Sequence, residues 1–507
     1  MIHNITIIGG GTAGFMTAST LLKFFPNKKI TLIESSNIPT VGVGESTILQ
    51  IREWLHQLDI KDKDFVKETN ATYKLSIKFT DFYQKGKSFH YPFGEAYDYG
   101  SQLGLNGWWL KKHYYNVGNE DYAESIFPNL ALIKNKKLDF NEKNQLPFTF
   151  KKNSAFHFDA TKFGLWLKEK YCIPKGLNYI QDDIKTIEQD KDGIKSLNNK
   201  YKADLFIDCT GFKSLLLGET FKEPFESLEN LLPNNSAYAT KLPYTNKKEQ
   251  LNLYTNCTAY NNGWIWNIPL WNRIGTGYVY SDKFISDDDA LKEFQEYLGT
   301  KELEFKKIKM RVGIHKRLWV KNVVAIGLSA GFIEPLESNG LFSIHEFLNV
   351  LLRNLHRGKV SQFDKDNFTY NCKQIFYNFA DFVALHYALS HRDDTEYWKA
   401  NLNKQWSNTL INHQANIVDG IDNAVRQRSF EYRFPRNAGL HCISAGMNWQ
   451  PTDIYSLLKH NTHTNDGVWK LEAKNFKEFS DTNKEYWNTV VKNFPDYINF
   501  LESNFYQ

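Results

Sequence analysis

The first 34 residues carry the pattern that most constrains the fold of this chain. A β-branched run, ITII at residues 5–8, is followed by the turn GGGTAG at residues 9–14 and then by a helical spacing of apolar residues. A second apolar run ends at Glu34. This order of strand, glycine turn, helix, strand and acid is typical of a dinucleotide-binding unit. The sequence therefore predicts an α/β fold that begins with such a unit.

The glycines of this turn have distinct physical roles. Gly9 and Gly11 permit a tight turn and a close approach of the backbone to a pyrophosphate, and Gly14 lets the helix pack closely on the strand. The amides at the helix N-terminus then point at the phosphates. Glu34 follows the last glycine by about 20 residues, at the position from which a carboxylate bonds a ribose hydroxyl. The pattern alone does not distinguish FAD from NAD.

Composition and charge exclude several classes of protein. The 507 residues are 42% hydrophobic and 23% charged, as in a globular protein of two or more packed modules. The 62 Lys and Arg nearly balance the 57 Asp and Glu, with no long run of like charge, so nucleic acid is not an expected partner. The five cysteines lack metal-ligand spacing, so we expect reduced thiols and no metal. Without a signal peptide or a bilayer-spanning apolar run, a cytoplasmic protein without a membrane partner is expected.

Further motifs follow the glycine turn along nearly the whole chain. They are GVGEST at residues 42–47, AFHFDA at 155–160, DCTGF at 208–212, WIWNIP at 264–269, EPLESNG at 334–340 and HRDDTEYW at 391–398. In this order they resemble the motifs of flavin-dependent halogenases of the tryptophan-halogenase type. The WxWxIP element is the most specific of them.

This resemblance implies a fold and a division of the chain. The implied fold is an FAD-binding, Rossmann-like module of the monooxygenase type with an inserted mixed β-sheet, packed as one body with a mainly helical substrate module. We predict that residues 1–60 and 153–370 form the FAD-binding module and the inserted sheet, which includes WxWxIP. Residues 61–152 and 371–507 would form the aromatic-rich substrate module.

Three catalytic residues are implied by the resemblance. The family's catalytic lysine is matched to Lys78 in YKLSIKF at residues 73–79, and strand alternation would place Lys74 and Lys78 on one face. An amine in an apolar pocket has a lowered pKa and can bind hypohalous acid or form a haloamine. Glu337 and its neighbour Ser338 lie in the EPLESNG motif. A fixed carboxylate there can stabilise a cationic ring and accept its proton.

Other site residues are implied in the same way. The free amides at the start of a helix after Ser338 are a candidate halide site, formed by Asn339 and Gly340; most family members have Thr where this chain has Asn339. The gate that keeps the organic substrate from the flavin would be formed by Trp264, Trp266, Ile268 and Pro269. The expected FAD contacts are Gly9, Gly11, Thr12, Ala13, Gly14, Glu34, Gly44, Glu45, Ser46, Ile184, Leu328 and Leu341.

The sequence predicts a substrate that differs from the family's usual one. The tyrosine pair that holds free tryptophan in the family is absent before AGM at residues 445–447. We therefore expect another small, electron-rich arene of the indole, pyrrole or phenol type. His90 and Phe93 fall where family aromatics sandwich the substrate.

Together these motifs predict a two-component, FAD-dependent halogenase. A separate flavin reductase would supply FADH2, and O2 with chloride, bromide or iodide would give hypohalous acid, which Lys78 passes to the arene. Two alternatives remain open. One is an FAD-dependent aromatic hydroxylase on the same scaffold, and the other is a non-catalytic flavoprotein.

Overall fold

A computed structural model of the chain describes residues 2–37, 44–94, 96–97, 105–140, 146–408, 410, 438–449 and 466–507. The strands are β1 Asn4–Ile8, β2 Lys29–Glu34, β3 Gly44–Ser46, β4 Thr72–Lys74, β5 Ser76–Thr80, β6 Ser88–Pro92, β7 Ala155–Asp159, β8 Asn178–Gln181, β9 Ile187–Asp190, β10 Gly193–Leu197, β11 Leu205–Asp208, β12 Phe225–Ser227, β13 Ser236–Leu242, β14 Tyr254–Tyr260, β15 Gly263–Pro269, β16 Ile274–Tyr280, β17 Lys306–Lys309, β18 Gly313–His315, β19 Trp319–Val320, β20 Val323–Ala325 and β21 Gly331–Phe332.

The α-helices in these ranges are α1 Thr12–Phe24, α2 Gln50–Gln57, α3 Asp62–Phe65, α4 Leu105–Tyr115, α5 Asp121–Ile126, α6 Asn129–Asn135, α7 Phe150–Asn153, α8 Ala160–Trp166, α9 Lys247–Gln250, α10 Asp287–Leu298, α11 Gly340–Leu355, α12 Gln362–Ala388, α13 Glu396–Leu402, α14 Ala438–Gly446, α15 Asp466–Val491 and α16 Tyr497–Leu501.

A six-stranded sheet contains the N-terminal unit. Its strand order is β19-β20-β11-β1-β2-β8, and every pair from β20 to β8 is parallel. The strand, turn, helix, strand prediction is confirmed by β1, α1 and β2, whose apolar residues are buried because helices and other segments cover the sheet. The carboxyl ends of β1, β2 and β11 meet at one edge, which is where open α/β sheets bind their ligands.

A seven-stranded sheet forms the second layer. Its order is β17-β13-β16-β15-β14-β5-β6, antiparallel except for the parallel β14–β5 pair. The WIWNIP motif lies in β15. Both the α/β class and the inserted mixed sheet are therefore confirmed.

The chain passes from one sheet to another at Leu75. Strand β4 belongs to the small sheet β3-β7-β4, whereas β5 belongs to the seven-stranded sheet. Between them, the Leu75 N–H donates to the Leu253 carbonyl (2.7 Å), and the Leu75 carbonyl accepts from the Phe93 N–H (2.8 Å). The strand alternation predicted across residues 73–79 is therefore wrong, and Lys74 and Lys78 lie in different sheets.

The same strands bear on the division of the chain. The small sheet joins β3, β4 and β7, which fall on both sides of the boundary expected at residue 61. Strand β5 likewise pairs with β14 in the other expected module, and β6 is joined to that sheet through β5. The boundary thus passes through two sheets, and the two-module division itself stays a prediction.

Two long helices bring side chains to the site. Helix α11 begins at Gly340, directly after the EPLESNG motif, and α12 packs against it. No helix in the described ranges is long and apolar enough to cross a membrane. All five cysteines are buried, and none forms a disulfide.

Candidate active site

One cavity of about 730 Å³ opens at the carboxyl edge of the parallel sheet. It brings together most of the residues that the sequence assigned to cofactor, halide and gate. Those that line it are Gly9, Gly11, Thr12, Ala13, Glu34, Ser46, Ile184, Trp264, Trp266, Ile268, Leu328, Ser338, Asn339, Gly340 and Leu341.

The glycine turn is shaped to receive a pyrophosphate. Gly9 has φ of +112°, and a Cβ there would lie 2.3 Å from the Cys209 carbonyl oxygen. A Cβ on Gly14 would lie 1.9 Å from the Gly9 oxygen, so Gly14 packs inside the turn rather than lining the cavity. Gly11 precedes α1 without a side-chain cap, which leaves the first helical amides to a ligand. A dinucleotide such as FAD fits this bare backbone.

We expect Gly9→Ala to weaken FAD binding about tenfold or more, because the turn must move to relieve both the overlap and the positive φ. Flavin fluorescence titration measures the effect. Gly176→Ala is the matched control, since Gly176 also has positive φ (+90°) but has nothing within 4 Å of its would-be Cβ. Equal FAD affinities of the two variants would contradict the assignment of this turn.

The acid after β2 and the GVGEST segment complete the predicted cofactor contacts. Glu34 ends β2 and accepts a hydrogen bond from the Tyr179 hydroxyl (2.6 Å), with Lys168 Nζ at 3.2 Å. Gly44 lies in the short strand β3. Residues 42–43 and the side chain of Glu45 lie outside the described part of the chain.

Two tryptophans form part of the cavity wall. Trp264 and Trp266 alternate with Ile265 along β15, and their ring centroids are 6.1 Å apart. Trp266 packs so closely on β16 that a Cβ on Gly277 would lie 2.2 Å from its ring. Pro269 ends the strand and does not line the cavity, but its carbonyl oxygen accepts a hydrogen bond from the Thr72 hydroxyl (2.6 Å).

The candidate halide position is at the start of α11. The Asn339 side chain donates to the Glu334 carbonyl oxygen (2.8 Å), so it closes the loop rather than pointing at a ligand. The helix begins at Gly340 without a side-chain cap. Only the backbone amides of its first turn are thus left for an anion.

A fully buried lysine lies behind this loop. Lys74 Nζ donates to the Ser338 hydroxyl (2.9 Å) and to the Thr47 carbonyl (3.0 Å). It also lies 4.8 Å from the centroid of the Phe93 ring. Burial lowers the pKa of Lys74 to about 7, although Cys257 and Glu337 oppose the shift. An amine with this pKa is about half neutral near pH 7.

Lys78, the lysine chosen from sequence, lies elsewhere. It is half-buried in β5, and its ammonium is 6.0 Å from the Tyr254 ring centroid. No hydrogen bond or ion pair among the described residues joins it to Glu337 or Ser338. The contacts expected of Lys78 belong to Lys74, four positions earlier. The sheet change at Leu75 separates the two lysines.

Glu337 ends a 3-10 turn and is 2% exposed. It lines a second, smaller cavity, whose other walls are Ile48, Leu49, Gln50, Tyr91, Pro92, Phe93, Gly94, Phe379 and Phe382. Because Ser338 lines the larger cavity and Glu337 the smaller one, this dipeptide stands between the two. The smaller cavity has a volume of only about 30 Å³ and is lined by aromatic rings, so a flat ligand enters it only if these side chains move apart.

The two predicted substrate contacts lie in different places. Phe93 lines the smaller cavity, but His90 does not. His90 Nδ1 lies 2.9 Å from the Ser76 hydroxyl, and its ring packs edge-on against Tyr254 at 5.0 Å. Tyr91, Pro92 and Phe93 therefore line the smaller cavity, whereas the His90 side chain packs on Ser76 and Tyr254.

His386 is a site residue that the sequence did not reveal. It is fully buried on α12, and its Nε2 lies 2.9 Å from Glu337 Oε1, although the two are not aligned as a hydrogen bond. Its Nδ1 lies 3.1 Å from the Phe382 carbonyl oxygen, which accepts an N–H there and turns Nε2 toward Glu337. One histidine on an apolar helix face gives no sequence signal of this contact.

Comparisons with known proteins point to one family. The family model described as tryptophan halogenase matches residues 4–463. Tryptophan 6-halogenase ThaL of Streptomyces albogriseolus is 31% identical over 537 aligned positions, which cover 99% of this chain and 98% of that protein. The solved apo structure of VirX1 has 37% identity and a TM-score of 0.88, with 100% of both chains covered. BrvH, a flavin-dependent halogenase from Brevundimonas sp. BAL3, has 30% identity and a TM-score of 0.86, with 99% of both chains covered.

Proposed function

The chain belongs to the tryptophan halogenase family and is a flavin-dependent halogenase of aromatic compounds, and we propose that Lys74 carries the halogen to its substrate. One observation carries this proposal. The buried amine of Lys74 bonds Ser338 at the edge of the larger cavity and is close enough to Glu337, in the smaller cavity, to feel its charge.

The larger cavity suits the cofactor. FAD in its reduced form, with O2 and a halide, supplies hypohalous acid when it is bound there. The glycine turn and Glu34 would hold its adenosine and pyrophosphate half, and the backbone at Asn339 and Gly340 would hold the halide. A separate reductase is the proposed source of FADH2, since the sequence has one dinucleotide turn. Five cysteines without a disulfide fit a reducing compartment, so the cytoplasm is the proposed location.

Lys74 is suited to capture an electrophile. In its neutral form the amine nitrogen attacks the halogen of hypohalous acid, so an N–X bond forms, the O–X bond breaks, and water leaves with the displaced proton. The arene then takes the halogen, the electrons of the N–X bond return to nitrogen, and the nitrogen takes up one proton, which regenerates the neutral amine. This uptake balances the one proton that the ring loses. Glu337 accepts the proton that the ring loses, and His386 Nε2 lies 2.9 Å from Glu337 Oε1.

The aromatic lining of the smaller cavity suits an electron-rich arene, which would have to enlarge the cavity from its volume of about 30 Å³. Tyr91, Phe93, Phe379 and Phe382 provide ring faces and edges around Glu337. The segment that lacks the family's tyrosine pair is part of helix α14. The proposed substrate is therefore an indole, pyrrole or phenol without the backbone groups of a free amino acid.

The pH dependence follows from the neutral amine. Because the folded pKa of Lys74 is lowered to about 7, the reactive form is lost as pH falls below that value. We expect kcat to fall about tenfold per pH unit below pH 7 and to level off above it. Steady-state turnover from pH 5.5 to 8.5, at constant FADH2 supply, measures this. A kcat that decreases as pH rises from 6 to 8 would rule out a neutral amine.

Product analysis tests the function as a whole. An aromatic library is incubated with the protein, FAD, a flavin reductase and NADH, with chloride, bromide or iodide in separate reactions. Mass spectrometry should show ring-halogenated products whose isotope pattern follows the added halide. Oxygenated products formed without halide would favour the hydroxylase alternative, and bound FAD with no product from any arene would favour a non-catalytic flavoprotein.

A further inference from the structure

We propose that a chain of hydrogen bonds from Lys74 to the carbonyl oxygen of Pro269 fixes the direction of the Ser338 hydroxyl, and so keeps the lone pair of Lys74 free for the halogen. The proposal deepens the function proposed above and rests on the role of Lys74 given there. The residues of this chain other than Lys74 are positioning residues. The connecting groups are four hydroxyls and one imidazole, which belong to Ser338, Ser46, Thr255, His157 and Thr72.

The chain is continuous and buried. Each link joins two side-chain polar atoms, apart from the last, which reaches a backbone carbonyl. In order, the distances are 2.9 Å from Lys74 Nζ to Ser338 Oγ, 3.0 Å to Ser46 Oγ, 2.6 Å to Thr255 Oγ1, 2.9 Å to His157 Nε2, 3.2 Å from His157 Nδ1 to Thr72 Oγ1, and 2.6 Å to Pro269 O. All six side chains are less than 9% exposed.

The far end sets the direction of every link. The Pro269 carbonyl can only accept, so the single hydroxyl hydrogen of Thr72 is given to it. Thr72 Oγ1 must then accept from His157, which requires the hydrogen to be on Nδ1. Burial and the nearby Lys74 hold the pKa of His157 well below its ordinary value, so the ring is neutral. Nε2 is therefore an acceptor.

The near end follows by the same reasoning. Thr255 gives its hydrogen to His157 Nε2, so Ser46 must donate to Thr255, and Ser338 must donate to Ser46. The Ser338 oxygen then has only lone pairs to offer to Lys74. It can accept from the amine and cannot donate to it.

This polarity decides what the lysine can do. The other neighbour of Nζ, the Thr47 carbonyl, is also an acceptor. A neutral amine uses its two N–H groups on these two acceptors, which leaves its lone pair at a free tetrahedral position. A reversed Ser338 hydroxyl would occupy that lone pair and hinder attack on the halogen. The other titratable groups that face Lys74 are Glu337, Cys257 and His157.

Thr72→Val tests the proposal at the end of the chain that lies outside both cavities. It removes the anchoring hydroxyl with little change of volume. We expect the plateau kcat to fall about tenfold with the KM of the arene unchanged. The pH of half-maximal rate should also move lower, because a donating Ser338 stabilises the neutral amine. Thr72→Ser restores the hydroxyl and should restore both values.

Thr69→Val is the matched control. Thr69 is buried in the same region, but its hydroxyl donates to the Phe65 backbone carbonyl and takes no part in the chain. We expect this variant to lose similar thermal stability and to keep the wild-type kcat and pH profile. A Thr72→Val enzyme that behaves like Thr69→Val in all three measurements would overturn the proposal.

A readout independent of turnover separates this proposal from the function itself. Nitrogen-15 NMR of His157 should show a neutral ring with hydrogen on Nδ1 in the wild-type protein, and a changed tautomer population in Thr72→Val. Hydrogen on Nε2 in the wild type would overturn the proposed direction whatever the activity. The proposed function itself would fail on other results. These are wild-type protein that halogenates no arene, or a Lys74 variant that keeps full turnover.

Discussion

Lys74→Met should lower kcat for halogenation about 1000-fold or more, because it removes the only nitrogen that bonds Ser338 and faces Glu337 within the described residues. Methionine keeps most of the buried volume, so the fold and the cofactor cavity should persist. Turnover with the best arene, FAD affinity and the melting temperature are measured together. We expect the last two to stay near their wild-type values.

Lys78→Met is the control for this experiment. Lys78 has the same side chain and lies four positions later. It belongs to the seven-stranded sheet, where its ammonium lies near the ring of Tyr254. We expect its kcat to remain within about threefold of wild type, as for an ordinary half-exposed lysine. Full loss of activity in Lys78→Met with retention in Lys74→Met would reverse the assignment and restore the lysine first chosen from sequence.

Glu337→Gln should lower kcat about 100-fold with little change in the KM of the arene. The amide fills the same space beside Phe93 but can neither stabilise a cationic ring as a carboxylate does nor accept its proton, a contribution of about 100-fold or more in other enzymes. Formation of hypohalous acid should continue, because Glu337 does not line the larger cavity. Trapping of hypohalous acid by an added 1,3-diketone, alongside arene turnover, measures the two steps separately.

Glu334→Gln makes the same change three residues earlier. Glu334 is fully buried and accepts a hydrogen bond from Tyr387, but it lines neither cavity. We expect its turnover to stay within a few-fold of wild type. If Glu334→Gln and Glu337→Gln lose the same activity, the effect belongs to the loop they share and not to a proton acceptor at Glu337.

The sequence correctly predicts the elements of the fold that depend only on residues near one another in the chain. The unit β1, α1, β2 is specified by a β-branched run, a glycine turn and a helical period within 34 residues, and all three lie where expected. The alternation of WIWNIP likewise predicts that Trp264, Trp266 and Ile268 share a face, and all three line the larger cavity. These features require no knowledge of distant partners.

The side chains that lie away from their expected positions are those whose place depends on strand pairing. Lys74 and Lys78 have the same parity, and only the passage between sheets at Leu75 sends them to different places. His90 and Phe93 lie three positions apart, yet only Phe93 lines the smaller cavity, because His90 packs on Ser76 and Tyr254 in strands β5 and β14. Neither outcome follows from a single segment, because the partners of each strand lie elsewhere in the chain.

Long-range contacts were also beyond the sequence. Lys74 and Ser338 are 264 positions apart, and Thr255 and His157 are 98 apart. His386 meets Glu337 only because α12 packs across α11. Hydroxyl and imidazole side chains are common in buried positions, so their types alone do not identify a network.

Mass spectrometry of the halogenated protein is the most direct test of Lys74 as halogen carrier. The enzyme is turned over once with reduced FAD, O2 and bromide in the absence of arene, and the protein is quenched and digested. We expect bromine on the peptide that contains Lys74, and its transfer to product when an arene is added before the quench. Two results would contradict the role of Lys74. One is bromine on Lys78, and the other is halogenation of the arene at the wild-type rate when the protein carries no bromine.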